Sequence, residues 1–530
     1  MLLNRREAGL MLASVLASGP AFAQGGTGQA SRTLKMVPHA VLRLLDPVGT
    51  SAYITRNHGY LIYDTLFGFD EKFRPQPQMV GNWNVSGDGL VYTFTLRDGL
   101  RFHDGAPVTS DDCIASLSRW MKSDMTGERL ARSVKEMVAV DTKTFKIVLS
   151  ASFASMLEAL AKPSTNVPFI MPKRVVEAAD KGAGITDTTG SGPFKFVASE
   201  FRPGIKVVYE RNADYVPRSE PASYLAGGKI AKLDRIEWLT FPDIQTVVNA
   251  IKKGDIDLVE WVTADTLTLL RGAPGLEIQK LASANCPFLR MNWLYPPFDN
   301  VKIRQAAQLA VSQRDVMDAV VGDQKAYEVC GALFGCGSPL ETNAASVGVE
   351  KADPAKAKAL LKEAGYKGEP VVFINPGDLT VWSAVSSVTS EMLKAAGFNV
   401  DFQTMDFATL LARRNRQTPP AEGGWNIMAT INSTLDLYFP LSNVNLDGRG
   451  KSGYSGWSSD SEMEALKETF AKASDPADQK AIAEKIQKRA YEQVHYIPLG
   501  MYNNFSIRRS NVSPLLAAPV TVYWGLEKSA

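Results

Sequence analysis

The sequence contains few of the residues that build metal sites and disulfide frameworks. Histidine and cysteine each occur four times in 530 residues, and no pair of histidines stands at the H-E-x-x-H spacing of zinc proteases. Four cysteines are also too few to staple a chain of this length into a small disulfide-dense scaffold. The sequence therefore predicts no metal and no cofactor.

The sequence also has no excess of positive or negative charge. Lysine and arginine total 58, aspartate and glutamate total 56, and the formal net charge is +2. Nucleic acids and anionic membranes attract proteins with clustered positive charge, so this balance argues against either as the main partner. After residue 23 no apolar run reaches the length of a transmembrane helix. A chain of this length exceeds what one hydrophobic core usually serves, so we expect two or three domains in a monomer.

The first 23 residues have the pattern of a cleavable secretory signal. A basic head at residues 4–6 precedes an apolar stretch at residues 8–16, and Ala21-Phe22-Ala23 forms a small-x-small cleavage site. The pair Arg5-Arg6 fits the twin-arginine pattern only in part, so that route and the general secretory route both stay open. No cysteine lies near the cleavage point to carry a lipid. We expect a free protein in the periplasm of a Gram-negative bacterium.

The segment at residues 91–112 combines a strand, two turns and a helix start. Apolar and polar residues alternate over residues 92–96, which is typical of a strand with one buried face. Two Asp-Gly pairs follow and favour tight turns, and Thr109 suits a helix N-cap. His103 and Asp104 are neighbours that point to opposite faces of an extended chain, which favours a turn brace over an acid/base pair.

Similar patterns continue along the chain. Residues 190–196 open a strand after a Gly-Pro turn, and residues 243–259 predict a helix, a glycine C-cap and a buried strand. Residues 371–405 give a strand, a helix and a second strand, the order that a parallel crossover requires. Two amphipathic helices at residues 461–494 then precede a strand at residues 504–508.

Several of these motifs resemble one protein family. The ordered series Leu-Arg-Asp-Gly, Phe-His-Asp-Gly and Pro-Val-Thr at residues 96–109 is similar to the signature of the extracellular solute-binding proteins of family 5, the peptide-binding type that serves ABC importers. Gly190-Ser191-Gly192-Pro193-Phe194, Met291-Asn292 and Ile497-Pro498-Leu499 resemble the same family in the expected order. The resemblance spans nearly all of the chain after residue 23.

The resemblance implies an α/β fold of the large, peptide-binding type II class of periplasmic binding proteins, in which two lobes close on a solute. Residues 24–283 would be the first lobe, with an extra inserted subdomain at about residues 64–187. Residues 284–499 would be the second lobe, and residues 500–530 would return to the first. Two crossings between lobes, near residues 281–285 and 498–502, would form the hinge.

The resemblance also implies a place for the solute. In peptide-binding members a loop aspartate pairs with the amino terminus of the peptide, and Asp436 is the matching candidate here. Asn432 stands near the usual tryptophan of the family's Trp-x-x-Asp-Tyr pattern and is a second candidate. This departure leaves open a solute without a free amine, such as an opine, a sugar conjugate or a metal chelate. A solvated loop charge is the alternative interpretation of Asp436.

Five further residues are candidates for contacts with the solute. Trp425 and Trp382 could stack on it or could belong to the core. Tyr53 and His58, near the first helix, would face the cleft from the opposite lobe. Asn375 ends a predicted strand, which is a reasonable place for a donor in the cleft.

The spacing of two cysteines predicts a disulfide. Cys330 and Cys336 enclose a short glycine-containing segment, and an oxidising compartment would link them. A metal site is the alternative, although no neighbouring Cys or His completes a set of four ligands. Cys113 is expected to be a small buried residue, and Cys286 to be buried or paired.

The predicted function is solute capture without catalysis. The protein would deliver a peptide or peptide-like solute to the permease and ATPase subunits of an ABC importer. A binder of a non-peptide solute is the first alternative, and a secreted hydrolase with an unrecognised site or a periplasmic scaffold are the others.

Overall fold

The fold is mixed α/β, as the sequence predicts. The computed structural model describes residues 32–179 and 184–529, apart from the side chains of residues 264 and 265. The predicted signal at residues 1–23 therefore lies outside the described residues.

The β-strands alternate with helices along much of the chain. Their bounds are β1 Thr33–Val37, β2 Asp64–Thr65, β3 Phe67–Phe69, β4 Pro75–Pro77, β5 Val80–Val85, β6 Val91–Leu96, β7 Val134–Ala139, β8 Thr144–Leu149, β9 Phe169–Ile170, β10 Phe194–Phe196, β11 Lys206–Arg211, β12 Arg235–Leu239, β13 Leu258–Val262, β14 Leu276–Met291, β15 Tyr327–Glu328, β16 Val371–Pro376, β17 Val400–Met405, β18 Ile427–Ser433, β19 Ile497–Pro498 and β20 Met501–Arg509.

The α-helices follow the start signals read from the sequence at several points. Their bounds are α1 Tyr53–Ile62, α2 Ser110–Trp120, α3 Met125–Ser133, α4 Met156–Leu160, α5 Lys173–Ala178, α6 Ile244–Lys253, α7 Ala264–Leu270, α8 Val301–Ala310, α9 Gln313–Val320, α10 Pro354–Glu363, α11 Thr380–Ala395, α12 Phe407–Arg414, α13 Thr434–Leu437, α14 Ser461–Lys472 and α15 Pro476–Gln493.

One large sheet runs through the molecule. Its strand order is β10-β11-β12-β1-β13-β20-β14-β18-β16-β17, with β15 and β19 added at β20 and β14. Parallel pairs stand toward the two ends, where β1 pairs with β12 and β13, and β16 pairs with β17 and β18. The centre is antiparallel, from β13 through β20 and β14 to β18. The predicted strand–helix–strand crossover over residues 371–405 is confirmed, with Val371 opposite Val400 in parallel register.

The strand β14 connects the two halves of this sheet. It runs for 16 residues, pairing with β20 over its first part and with β18 from Asn285 onward. The register with β20 shifts between Lys280 and Ala284, so the ladder is interrupted where the sequence places the first crossing. The residues assigned to the second lobe build a hydrophobic core of their own, centred on Phe298, Phe373 and Leu393.

The segment at residues 91–112 folds as the sequence predicts. In β6 the side chains of Tyr92, Phe94 and Leu96 are buried, and the strand lies in a separate antiparallel sheet of order β5-β6-β8-β7. His103 braces a turn, because its backbone N–H donates to the Gly190 carbonyl at 2.7 Å and its Nδ1 accepts from the Gly190 N–H at 3.2 Å. This separate sheet lies within residues 64–187, which the sequence assigns to the inserted subdomain. The exact lobe boundaries stay a prediction.

The described part of the chain shows no cluster of metal ligands and no membrane-spanning helix. No group of three or more His, Cys, Asp or Glu side chains there is placed to hold a metal ion. Within the same residues, no helix combines the length and the apolar character that crossing a membrane requires.

Candidate functional site

Tyr53 joins the first helix to a loop that lies far away in sequence. The Tyr53 hydroxyl donates a short hydrogen bond to Oδ2 of Asp436 and accepts one from the Ser433 N–H at 2.9 Å. Burial, with the charge and hydrogen bond of Asp436, raises the pKa of Tyr53 well above its usual value. The phenol is therefore a neutral donor at physiological pH.

Asp436 lies on the single-turn helix α13, whose start is capped by Ser433. The residue is only 8% exposed, and its Oδ1 atom has no hydrogen-bond partner in the described structure. A buried carboxylate oxygen without a donor is costly, because the charge loses its water without gaining a replacement. This oxygen therefore has unused capacity to accept a hydrogen bond. A solvated loop charge, the alternative from sequence, is therefore the wrong description of Asp436.

A small cavity of about 20 Å³ lies beside Tyr53. Helix α1, the strands β13, β14, β18 and β20, and the segment after β20 enclose it. Its lining residues are Tyr53, Arg56, Trp261, Leu281, Ser283, Asn285, Ser433, Asn504, Leu515, Leu516, Ala518, Pro519, Val520 and Thr521. Four of its polar residues form two hydrogen-bonded pairs. The Ser283 and Ser433 hydroxyls are 2.5 Å apart, and Asn285 Nδ2 donates to Asn504 Oδ1 at 2.8 Å. The walls thus combine two aromatic rings, an aliphatic segment, neutral hydrogen-bonding groups and the guanidinium of Arg56.

A hydrogen-bonded network supports this cavity from behind. Glu260 is fully buried and accepts from His39 Nδ1 at 2.8 Å and from Asn57 Nδ2 at 2.9 Å. Burial opposes ionisation of Glu260, but the interaction with His39 outweighs it and leaves the carboxyl pKa below its usual value. The His39 ring stacks on Trp261 with centroids 4.2 Å apart, which fixes the position of this indole at the cavity.

The sequence-based candidates fall into two groups. Tyr53 and Asp436 come together as described. Asn432 is half-buried and precedes the cavity-lining Ser433 in β18. It is opposite Cys286 in the β14–β18 pair, and its Oδ1 accepts from Asn445 Nδ2 at 3.4 Å.

The other four candidates, like Asp436 and Asn432, are not among the described residues that line the cavity. Two of them are core residues with no exposed surface. His58 is hydrogen-bonded to the Tyr209 hydroxyl through Nδ1 at 2.8 Å, and burial lowers its pKa to about 3. Trp425 packs against Trp457 and donates to the Arg414 carbonyl. Neither side chain has exposed surface from which to contact a solute in this structure, since His58 lies in the buried part of α1 and Trp425 lies in the core just before β18.

The remaining two candidates, Trp382 and Asn375, make hydrogen bonds within the second half of the sheet. Trp382 is half-buried, and its Nε1 donates to the Ala429 carbonyl at 2.7 Å. Asn375 is 2% exposed and donates to the hydroxyls of Ser383 and Thr404. Their polar groups tie helix α11 and strand β17 to the strands beneath them instead of reaching the cavity.

Arg56 and Trp261 line the cavity but were not anticipated. Arg56 stands three residues after Tyr53, and this spacing on a helix places both on one face. That spacing is a signal that sequence analysis could have used. Trp261 could not have been found in this way, since its role depends on the stacking of His39, which lies 222 positions earlier.

The predicted disulfide is present. Cys330 and Cys336 are bonded, with Cα atoms 5.9 Å apart. Cys113 and Cys286 are free and buried, as expected for the first and left open for the second. Burial, with a smaller contribution from Asp436, raises the pKa of the Cys286 thiol far above its usual value, so this thiol is unreactive at neutral pH.

We expect the native protein to react with no thiol reagent and to expose two thiols on unfolding in the absence of reductant. Titration with an aromatic disulfide, before and after addition of guanidinium chloride, measures this. Digestion of the unreduced protein followed by mass spectrometry should link the peptides of Cys330 and Cys336. Four thiols in the unfolded, unreduced protein would contradict the assignment.

Comparison with known proteins decides the family. The model of the bacterial extracellular solute-binding proteins, family 5, matches residues 74–445, which is more than half of the chain. The chain belongs to this family. Its members are solute-binding proteins, so the family resemblance read from the sequence is confirmed.

Relatives and solved structures agree with this membership. A protein of Sinorhizobium fredii named "Probable peptide ABC transporter periplasmic-binding protein" is 35% identical, over 100% of both chains. The glutathione-binding protein GsiB of Salmonella typhimurium is 26% identical, over 97% of this chain and 96% of that protein.

Two solved structures share the fold. AgaA of A. tumefaciens R10, in complex with agropinic acid, superposes with a TM-score of 0.78 at 21% identity, over 94% of this chain and 99% of its own. DppA of Helicobacter pylori, in complex with the peptide STSA, superposes with a TM-score of 0.77 at 21% identity, over 94% and 98%. The predicted two-lobe type II fold of the family is thus confirmed.

Proposed function

We propose that this family 5 member captures a peptide or peptide-like solute in the periplasm and delivers it to the permease and ATPase subunits of an ABC importer. One observation carries the proposal. The Asp436 carboxylate is buried, one of its oxygens has no partner, and the other is held by Tyr53 from α1. A solute ammonium or amide N–H bound to Oδ1 would replace the lost water.

The position of Asp436 explains how binding would be coupled to closure. Tyr53 belongs to α1, before the first crossing, whereas Asp436 follows β18, after it. The Tyr53–Asp436 hydrogen bond therefore joins residues of the two assigned lobes. A solute that bonds to Asp436 and to the cavity walls would favour this closed arrangement through its greater affinity for it.

An opine-like solute is the second candidate. The loop departs from the usual family pattern at Asn432, and AgaA, which shares the fold, was solved with agropinic acid. Such a solute could use the same oxygen of Asp436 through any N–H or O–H group that it carries. The two candidates differ in the remainder of the molecule, where opines carry polar chains instead of peptide groups.

A thermal-shift screen tests the proposal. Di- to oligopeptides, glutathione, opines and oligosaccharides are each added in excess, and we expect at least one class to raise the melting temperature. A ligand at about 100 times its dissociation constant adds about 2.7 kcal/mol to the free energy of unfolding, provided it binds only the native state. Isothermal calorimetry of the best solutes gives the dissociation constants. No stabilisation by any solute at millimolar concentration would contradict the proposal.

A further inference from the structure

Helix α3, in the residues assigned to the inserted subdomain, lies against helix α14, in the residues assigned to the second lobe. α3 ends where β7 of the separate sheet begins. α14 is tied to α15, because Arg489 pairs with the α14 N-cap residue Asp460 at 2.9 Å. α15 is tied in turn to α8, where Arg304 donates to the Gln493 carbonyl at 2.9 Å. Contacts between α3 and α14 therefore join the two assigned lobes, at residues other than those that line the cavity.

Arg129 of α3 is at the centre of these contacts. Only 3% of its side chain is exposed, and its two terminal nitrogens pair with Glu464 at 2.7 Å and with Glu468. Glu464 is itself fixed, since it also accepts from Lys467 Nζ at 3.3 Å and from the Gly448 N–H at 2.9 Å. A planar guanidinium that donates to two carboxylates makes strong, charge-assisted hydrogen bonds. The largest charge interaction between the two helices is thus also a buried one.

A second ion pair of opposite polarity lies beside the first. Glu128, the residue before Arg129, accepts from Arg449 Nη1 at 3.1 Å. Arg449 is held in place by Asp447, which accepts from its Nε at 2.8 Å. The subdomain therefore supplies one positive and one negative partner, and the second lobe supplies their complements. Opposed charges of this kind fix the register between two surfaces, because a shift would bring like charges together.

Two backbone N–H groups also make hydrogen bonds between the assigned lobes. The Ser155 N–H of the subdomain donates to the Ala471 carbonyl of α14 at 3.3 Å. In the candidate site, the Ser433 N–H donates to the Tyr53 hydroxyl at 2.9 Å. Separation of the lobes breaks both bonds. One of these amides therefore reports opening beside the ion pairs, and the other reports opening at the candidate site.

We infer that the inserted subdomain is a clamp on the second lobe, in which the ion pairs of Arg129 and Glu128 stabilise the closed arrangement from outside the solute site. In an open arrangement the same groups are apart and hydrated, so their attraction contributes to closure alone. Removing the charge of Arg129 leaves buried carboxylates without that partner, which costs more than the loss of an exposed pair. The clamp increases affinity for any solute that binds the closed arrangement, by increasing the population of that arrangement.

Hydrogen exchange in the solute-free protein, followed by mass spectrometry at single-residue resolution, tests the inference. Arg129→Met keeps an apolar stem and removes the guanidinium. We expect the Ser155 and Ser433 amides to exchange about 30-fold faster or more in this variant, as for a buried charge pair that loses one member. Exchange follows the open fraction when reclosing is fast. Amides inside the β6–β8 ladder should exchange as in wild type. The exposed Lys135→Met is the matched control and should leave every rate unchanged.

Each outcome supports or overturns the clamp. Unchanged rates at both amides overturn it, and so does acceleration at Ser155 alone, because the ion pairs would then act only locally. Equal acceleration in the β6–β8 ladder would mean that Arg129→Met unfolds the subdomain, and Glu468→Gln then decides. Glu468 is 46% exposed, so its replacement should accelerate Ser155 and Ser433 by a smaller factor without unfolding. Wild-type rates in that variant would contradict the clamp. The measurement uses no solute, so its failure leaves the proposed function in place.

Discussion

Replacing Asp436 by asparagine is expected to weaken binding of an amine-bearing solute by about 30-fold to several thousandfold, which corresponds to about 2–5 kcal/mol. The carboxylate is 8% exposed, so little water would screen its charge from a bound ammonium. Asparagine keeps the shape but removes the charge, and the ammonium would then be buried without its partner. A position at an exposed rim would cost about 1 kcal/mol or less. Calorimetry on the best solute from the screen measures the difference.

A chemical double-mutant cycle separates a direct contact from an indirect effect. Acetylation of the solute amine should weaken binding to wild type strongly and should hardly affect Asp436→Asn further, because both changes break one contact. The exposed Asp255→Asn is the matched control and should retain wild-type affinity. If the losses from the mutation and from acetylation add, Asp436 does not hold an amine. The solute would then be one without a free ammonium at this position.

Gly190→Ala is expected to destabilise the protein more than any exposed glycine replacement. A Cβ atom at this position would lie 1.7 Å from the carbonyl oxygen of Ile62, which is backbone at the end of α1 and cannot rotate away. The Gly190 backbone also exchanges hydrogen bonds with His103, so the segment is fixed on its other side. Overpacking of this kind typically costs about 1–3 kcal/mol and occasionally more, and we expect the upper part of that range.

Gly87→Ala is the matched control for this prediction. Gly87 is exposed, no atom lies within 4 Å of an added Cβ, and its φ is outside the left-handed region. Melting temperatures followed by circular dichroism should fall for Gly190→Ala and stay near wild type for Gly87→Ala. Equal melting temperatures for the two variants would show that α1 moves to accommodate the methyl group. Since α1 carries Tyr53 and Arg56, solute affinity measured on the same variants reports whether the site moves with it.

The Gly-Ser-Gly-Pro motif therefore has a physical reason. Gly192, like Gly190, lies too close to the end of α1 for a side chain, with a Cβ position 2.7 Å from the Leu61 carbonyl oxygen. The chain at residues 190–192 passes directly against the helix that supplies Tyr53 and Arg56 to the candidate site. Glycine is required there for close approach of two backbones, and a sequence motif thereby fixes the position of α1.

The sequence by itself determined the features that depend on near neighbours. The alternation in β6, the Thr109 cap and the strand–helix–strand order at residues 371–405 follow from periodicity and capping, which act over a few residues. The Cys330–Cys336 bond also closes a short segment. The family signature extended these local signals to the whole chain and pointed to Asp436.

Only the tertiary structure decided which side chains share the cavity. Tyr53 and Asp436 are 383 positions apart, and no local pattern records that their hydroxyl and carboxylate meet. His58 and Trp425 are buried because other elements pack over them, which no local pattern records.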